Sequence, residues 1–232
     1  MGAPSLCIDC LVRDQSLCAS LTDAELIGLN SVSRHRSLPQ GTTLLWAGED
    51  SIICGNLISG VLKMTAAASD GREQIVGLLY PADFFGRAQA GEMQFSVTAL
   101  IDSELCVFPR ERFQRALEDH VRMERALLRR TLDALDEARG RMLLLARGTA
   151  EERVSGFLLQ MANRAATQDN RHEAVVELPL SRGQIADVLG LTIETVSRQI
   201  SRLKLAGVIA LPGGRQIAIL DRPALERRAV AA

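Results

Sequence analysis

The sequence predicts an α+β fold with three parts in chain order: an N-terminal antiparallel β-roll, a long dimerisation helix and a C-terminal winged helix-turn-helix. Three observations carry this prediction. Between residues 37 and 109, short apolar runs are broken by Gly, Pro and Asp, which is typical of a barrel or jelly roll. A helical stretch follows from about residue 111 to 147, and two short helices then meet at a glycine.

The N-terminal half has a helix signal followed by strand signals. Thr22 and Glu25 have the spacing of a capping box, which predicts a short helix from Thr22 to Asn30. Four later runs have the length and composition of strands: Gly41–Trp46, Gly60–Met64, Gln74–Tyr80 and Phe95–Leu100.

A heptad repeat follows in the helical stretch. Apolar residues recur every seven positions, and a complementary set lies between them. The first set is Val121, Leu128, Leu135 and Met142, and the second is Thr131, Ala138 and Leu145. Such an a/d pattern favours a two-stranded seam and therefore a homodimer. The alternative is a single amphipathic helix lying on its own barrel.

Residues 181–203 read as two short helices joined by a turn. Ser181 and Gln184 predict a capping box, and Gly190 permits a left-handed turn. In the second helix one face is predicted to be buried, and the residues on the other face are polar. The buried set is Ile193, Val196, Ile200 and Leu203, and the polar set is Glu194, Ser197 and Arg198.

This arrangement is what reading the major groove of double-stranded DNA requires. Arg198 can donate two hydrogen bonds to guanine, Glu194 can accept one from cytosine, and Ser197 can reach a base or a phosphate. The alternative is an ordinary surface pair between Glu194 and Arg198. Two apolar runs around Pro212-Gly213-Gly214 predict the wing hairpin, and three basic residues are candidate phosphate contacts: Arg202, Lys204 and Arg215.

Charge is distributed in agreement with a polyanion-binding C-terminal half. Residues 1–138 carry 13 basic and 19 acidic side chains, whereas residues 139–232 carry 14 and 9. We find neither a membrane span nor a secretory signal, so we expect a cytoplasmic protein. With no nucleophile elbow, phosphate loop or HExxH motif, the sequence does not favour an enzyme.

Three of the five cysteines crowd the N-terminus as Cys7, Cys10 and Cys18. In a cytosolic chain such crowding indicates a metal or redox site rather than a disulfide framework. From spacing alone a zinc site and an iron–sulfur site are equally favoured, and a metal-free thiol switch stays open. Cys54 is most simply a small buried hydrophobe on a strand.

The order of barrel, long helix and winged helix-turn-helix, with the run Leu191–Arg198, resembles the Crp/Fnr family over nearly the whole chain. The resemblance implies a cyclic-nucleotide-binding-like jelly roll and a transcription regulator, mainly an activator, with RNA polymerase as a partner through the turn at 69–72. Glu194, Ser197 and Arg198 match the Glu-x-x-Ser-Arg motif of the Fnr and FixK branches, which implies palindromic sites with TTGAT-like halves. Gly86-Arg87 and Phe95-Ser96 stand where the cyclic-nucleotide branch has charged ligand contacts, so cyclic nucleotide binding is not expected.

Within that family, Cys106 matches the barrel cysteine of the oxygen-sensing Fnr branch. The resemblance therefore implies a [4Fe–4S] cluster held by Cys7, Cys10, Cys18 and Cys106. Their C-x2-C-x7-C spacing differs from the C-x2-C-x5-C of the enteric Fnr type and is closer to the FnrN and FixK-like proteins. The alternative is a regulator without a cluster that responds to a small molecule, a haem-linked signal or thiol oxidation.

We therefore expect four segments. They are a cysteine-rich segment at 1–20, a β-roll sensor at 21–118, the dimerisation helix at 119–147 and the DNA-binding domain at 148–232.

Overall fold

The computed structural model describes residue 7 and residues 9–67, 73–169 and 175–229, with side chains left undescribed at 165–169. The chain divides into two compact units, residues 1–134 and residues 135–232. The turn at 69–72, to which the resemblance assigned polymerase contact, lies outside the described residues. None of the described helices is long and apolar enough to cross a membrane.

Two four-stranded antiparallel sheets form the β-roll of the first unit. One sheet has the order β1-β8-β3-β6 and the other β2-β7-β4-β5. The strands are β1 Arg34–Leu38, β2 Thr43–Leu45, β3 Ile53–Ser59, β4 Leu62–Ala67, β5 Glu73–Leu79, β6 Phe84–Gly86, β7 Ser96–Ala99 and β8 Ser103–Pro109. All four predicted strand runs are confirmed as β2, β4, β5 and β7.

The first sheet has an apolar core on each face. Leu57 and Leu105 belong to the interior core between the two sheets. Cys54, Cys106 and Phe108 point to the other face, where the N-terminal segment and three helices cover them. These helices are α1 Asp23–Asn30, α2 Arg110–Asp119 and α3 Val121–Arg147. The N-terminal segment contains two 3-10 turns, Arg13–Gln15 and Leu17–Ser20.

The local signals for the first helices are partly right. The capping box between Thr22 and Glu25 is present, and it starts α1 as predicted. The expectation of one continuous helix from about residue 111 to 147 is wrong. His120 has φ −126° and ψ 81°, which is outside the helical region, so it separates α2 from α3.

Helix α3 has one face buried against the β-roll and an opposite face that is apolar and exposed. Met123 is fully buried against the first sheet, and Ala126 and Leu127 pack beside it. On the opposite side an apolar stripe is exposed: Val121, Leu128, Leu132, Leu135, Met142 and Leu143. The stripe contains all four residues of the predicted main seam, and Leu132 and Leu143 add to it. In the complementary set Thr131 and Leu145 are exposed and Ala138 is half-buried.

The second unit is a helical domain with a small antiparallel sheet, β10-β11-β9. Its elements are α4 Ala150–Asp169, β9 Val175–Glu177, α5 Arg182–Leu189, α6 Ile193–Leu205, β10 Ile209–Ala210, β11 Gln216–Ile219 and α7 Arg222–Ala229. Helices α5 and α6 form the helix-turn-helix, and β10 and β11 form the predicted wing hairpin. The predicted architecture is thereby confirmed, although β9 was not anticipated.

Candidate metal centre and DNA-reading surface

The cysteine site lies where the N-terminal segment covers the first sheet. Cys7 and Cys106 are buried, and Cys10 and Cys18 are half-buried. Cys106 sits on the central strand β8, directly opposite His35 on β1 and Asn56 on β3. The approach of β3 to this strand depends on Gly55, because a Cβ there would lie 2.1 Å from the carbonyl oxygen of Cys106.

The four predicted ligands are close enough to influence one another electrostatically. Burial raises the pKa of Cys106 to about 12, and the thiols of Cys7, Cys18 and Cys10 contribute to the rise. Burial likewise raises the pKa of Cys7 to about 11, with contributions from Cys18 and Cys10. The structure thus brings together three cysteines from the N-terminus and one from the last strand of the β-roll.

Cys54 does not belong to this group. It is buried on β3, as predicted, and its Cα is paired with that of Phe108. Burial raises the pKa of Cys54 to about 12, and Arg110 is the charged group that opposes the rise. Among the described residues, no thiol contributes to the shift of Cys54.

The described residues contain no preformed site for a single metal ion. In the part of the chain that the structure describes, no three His, Cys, Asp or Glu side chains are arranged to hold a single metal ion. A tetrahedral zinc ion needs its sulfur ligands at about 2.3 Å. Four cysteine thiolates are also the ligands of iron–sulfur clusters, so the chemistry of the donor set suits either group.

Two arginines of α3 bond to the elements that precede the β-roll, Arg122 to α1 and Arg130 to the N-terminal segment. Arg122 donates to both carboxylate oxygens of Glu25 at 3.0 and 2.8 Å. Arg130 donates to the backbone carbonyl of Gln15 and, at 3.1 Å, to that of Ala82. The segment that carries the cysteines is therefore joined directly to the helix that exposes the apolar stripe.

Helix α6 presents the predicted polar face. Thr192 caps the helix by accepting a hydrogen bond from the backbone N–H of Thr195. Glu194, Ser197 and Arg198 are all exposed on the first turns, and Nη2 of Arg198 donates to the Thr195 hydroxyl at 3.3 Å.

The charge on Glu194 is supported locally. Its own backbone N–H and the Thr192 hydroxyl hold the pKa of Glu194 below its ordinary value, and Arg198 adds to the effect. The carboxylate is therefore ionised at neutral pH and can only accept hydrogen bonds.

The turn before α6 is the predicted one. Gly190 has φ 60° and ψ 41° and ends α5, whose Ser181–Gln184 capping box is also present. Ile193, however, was wrongly assigned to the buried face, because it is 52% exposed. It is the first residue of the helix, where the chain has not yet entered the core, and Gln199 is buried instead.

The predicted phosphate contacts are all exposed. Arg202 and Lys204 lie in the last turn of α6. Arg215 lies in the wing and donates to the carbonyl of Pro179 at 3.4 Å. Arg182, at the start of α5, was not among the predicted contacts, and its Nη1 is buried with no hydrogen-bond partner among the described residues. Burial lowers the pKa of Arg182.

The positions that correspond to the cyclic nucleotide contacts are engaged differently here. Arg87 is exposed. The hydroxyl of Ser96 accepts a hydrogen bond from the backbone N–H of Ala47 at 3.0 Å. Where the resemblance implies a charged pair for the sugar and the phosphate of a cyclic nucleotide, the chain carries Arg87 and Phe95.

Comparison with known proteins agrees with both parts of this structure. A model of the cyclic nucleotide-binding domain matches residues 35–120, and a model of the Crp-like helix-turn-helix domain matches residues 152–228. The chain is 39% identical over 218 residues to the transcriptional activator protein FnrL of Cereibacter sphaeroides, covering 93% of this chain and 88% of that protein. It is 36% identical over 225 residues to the nitrogen fixation regulation protein FixK of Bradyrhizobium diazoefficiens, covering 97% and 94%.

A solved structure gives the same assignment. The structure of FixK2 from Bradyrhizobium japonicum matches with a TM-score of 0.79 at 32% identity, covering 87% of this chain and 99% of that one. Since the family models, the relatives and the fold agree over most of its length, this chain belongs to the Crp/Fnr family of DNA-binding transcription regulators.

Proposed function

We propose that this protein is an oxygen-responsive transcription activator whose Cys7, Cys10, Cys18 and Cys106 hold a [4Fe–4S] cluster. The observation that carries the proposal is the electrostatic grouping of these four thiols, which does not include the buried Cys54. The relative named as a transcriptional activator, FnrL, supports the activating role.

Four thiolates are the usual ligands of such a cluster. When bound, the cluster supplies a group that oxygen can destroy, so that ligand release follows the oxygen level. The raised pKa values of Cys7 and Cys106 mean that both thiols are protonated at neutral pH without metal. Binding must then release protons to the solvent, because only the thiolate is a ligand.

We further infer that the exposed apolar stripe on α3 is the seam of a homodimer. Leu128 is 59% and Met142 69% exposed in the single chain, and a heptad pattern of this kind is buried by a second helix. Thr131 and Ala138 contribute little apolar area, so the seam is weak by itself. Any change in the N-terminal segment that moves α3 therefore shifts the dimer equilibrium.

A dimer places two recognition helices on one palindrome. Glu194, Ser197 and Arg198 would read each TTGAT-like half-site, and Arg202, Lys204 and Arg215 would contact phosphates. Since both half-sites are needed for tight binding, a stronger dimer means a higher DNA affinity. RNA polymerase remains the proposed partner of the DNA-bound dimer on the strength of the family resemblance.

Anaerobic purification tests the cluster directly. We expect a brown protein with about four iron atoms per chain that loses its visible absorbance in air. Cys→Ser changes at Cys7, Cys10, Cys18 or Cys106 should abolish the absorbance and the anaerobic transcriptional response. Cys54→Ser is the matched control and should leave both intact.

Each contrary result has a definite meaning. A colourless protein with one zinc per chain would establish the zinc alternative. A metal-free protein that forms a disulfide in air would establish a thiol switch. Loss of absorbance in Cys54→Ser, or its retention in Cys106→Ser, would show that the ligand set is wrong.

A further inference from the structure

Asn30, the last residue of α1, stands beside the first cysteine of the site. Its Oδ1 accepts a hydrogen bond from Sγ of Cys7 at 3.2 Å. The same oxygen accepts a second hydrogen bond from the hydroxyl of Ser33 at 3.3 Å. The carboxamide oxygen of Asn30 is therefore oriented to accept a hydrogen bond from the Cys7 thiol.

The oxygen of Asn30 suits a thiol but not a thiolate. A sulfur bound to metal has lost its proton, so an oxygen facing it would meet a negative charge and receive no hydrogen bond. An asparagine side chain carries an oxygen acceptor on one side of its carboxamide and an NH2 donor on the other. A rotation of 180° about χ2 exchanges the positions of the oxygen and the NH2 group with little change of shape. The Ser33 hydroxyl keeps a hydrogen-bond acceptor after this rotation, because it also donates to the backbone carbonyl of Asn30 at 3.1 Å.

We propose that Asn30 is a positioning residue for the cluster and changes its hydrogen-bonding role with the state of Cys7. In the cluster-free protein it accepts from the Cys7 thiol and holds that side chain at the site. In the cluster-bound protein the carboxamide is turned over and donates an N–H to the Cys7 sulfur. The inference rests on the proposed function, since it assigns a role toward the same cluster.

Such a hydrogen bond has a measurable effect on the bound group. Donation to a ligating sulfur stabilises its negative charge, and hydrogen bonds to the sulfurs help to set the reduction potential of a cluster. Groups that orient the ligands of a metal typically change its affinity 10–100-fold when they are removed. We therefore expect Asn30 to slow the loss of iron and to raise the reduction potential.

Two substitutions separate donation from charge. Asn30→Asp keeps the size and the accepting oxygen but has no N–H, and Asn30→Ala removes both groups without adding a charge. After anaerobic reconstitution with iron and sulfide, we expect a chelator to remove iron about tenfold faster from both variants than from the wild type. The reduction potential should be lower in both.

Ser31→Ala is the control. Ser31 is exposed and its hydroxyl donates to the carbonyl of Gly28, so iron loss and potential should match the wild type. Far-UV circular dichroism of each variant verifies that α1 has formed.

The outcomes separate this inference from the function on which it rests. A wild-type protein that takes up no cluster overturns the proposed function and the inference with it. A wild-type cluster that both variants hold with unchanged chelation rate and potential overturns the inference alone. Faster loss in Asn30→Asp with wild-type behaviour in Asn30→Ala would also overturn it, because the effect would then come from the added carboxylate.

Discussion

The guanidinium of Arg130 donates a hydrogen bond to the backbone carbonyl of Gln15. Gln15 lies between Cys10 and Cys18, and Arg130 lies on α3 two residues after Leu128. One side chain thus joins the segment that carries the candidate ligands to the helix that carries the candidate seam. A second bond, from Arg130 to Ala82, ties the same helix to the turn between β5 and β6.

Arg130→Ala should loosen the cysteine segment without unfolding the β-roll. Hydrogen bonds to charged groups contribute about 1.5–3 kcal/mol when well shielded, and this side chain is half-buried, so we expect a loss of about 1 kcal/mol. Amide hydrogen exchange at residues 13–20 should accelerate roughly fivefold, which is the factor that this free energy gives. Arg129→Ala, at the exposed neighbouring position, should leave exchange unchanged. Equal exchange rates in the two variants would show that Arg130 does not hold the cysteine segment to α3.

The apolar stripe on α3 predicts a definite response to charge. Leu135→Asp should give a monomer with or without oxygen, because two carboxylates would face each other across the seam. Ala134→Asp adds the same charge one position earlier, about 100° round the helix, and should leave the dimer intact. Sedimentation velocity measures both. A dimer that survives Leu135→Asp would mean that the seam is misplaced.

The unmodified dimer should itself respond to oxygen. Since Thr131 and Ala138 bury little apolar area, we expect the dimer to weaken, without vanishing, when the cluster is lost. Sedimentation of the anaerobic and the air-exposed protein over a concentration series measures the change. Identical dimer dissociation constants in the two states would separate the cysteine site from dimerisation.

Base reading and phosphate contact should separate at Arg198 and Arg215. Arg198→Ala should cost about 1–3 kcal/mol in binding and relax discrimination at one guanine of the half-site. Arg215→Ala should weaken binding to all sequences alike and reduce the salt slope by about one. Titrations against site variants at several salt concentrations measure both effects, and an unchanged base preference in Arg198→Ala would contradict the proposed docking of α6.

Cys54 predicts a loss of stability at alkaline pH. Burial raises the pKa of Cys54 from 9.0 to about 12, so the native protein keeps a proton that the unfolded chain releases. The stabilising contribution is complete below pH 9 and is lost as the pH rises towards 12. In the reduced, cluster-free protein, the free energy of unfolding should fall with rising pH more steeply than it does in Cys54→Val. The difference between the two slopes should be about 1.4 kcal/mol per pH unit. Denaturant titrations between these pH values test this, and parallel curves for the two proteins would refute it.

Features encoded by neighbouring residues could be predicted from the sequence. The capping boxes of Thr22 and Ser181 each depend on a partner three positions later, and both are present. The turn at Gly190 depends on one residue that tolerates positive φ. The break at His120 escaped prediction because neither Gly nor Pro marks it.

The site itself depends on long-range packing, which the sequence does not display. Spacing pointed to Cys7, Cys10 and Cys18 as a group. In the structure Cys106 and Cys54 share the covered face of the first sheet, and only Cys106 is close enough to those three thiols for them to influence its pKa. The acceptors of Arg130 are backbone carbonyls, which every residue has, so no pattern could indicate them. The role of Asn30 could not be predicted either, because its partner, the Cys7 thiol, lies 23 residues earlier in the chain.

Because Cys106 lies in the last strand of the β-roll, the four thiols become available in a fixed order during translation. Ribosomes add about 5–20 residues per second, so the three N-terminal thiols emerge on the order of ten seconds before the fourth. Cys106 reaches them only after β8 has inserted between β1 and β3. Under the proposed ligand set, a chain that has not yet placed β8 in the sheet offers three of the four thiolates. The complete iron site would therefore exist only in a chain whose β-roll has folded. If the proposed function holds, a regulator assembled in this order would answer to oxygen only once its sensor domain has folded.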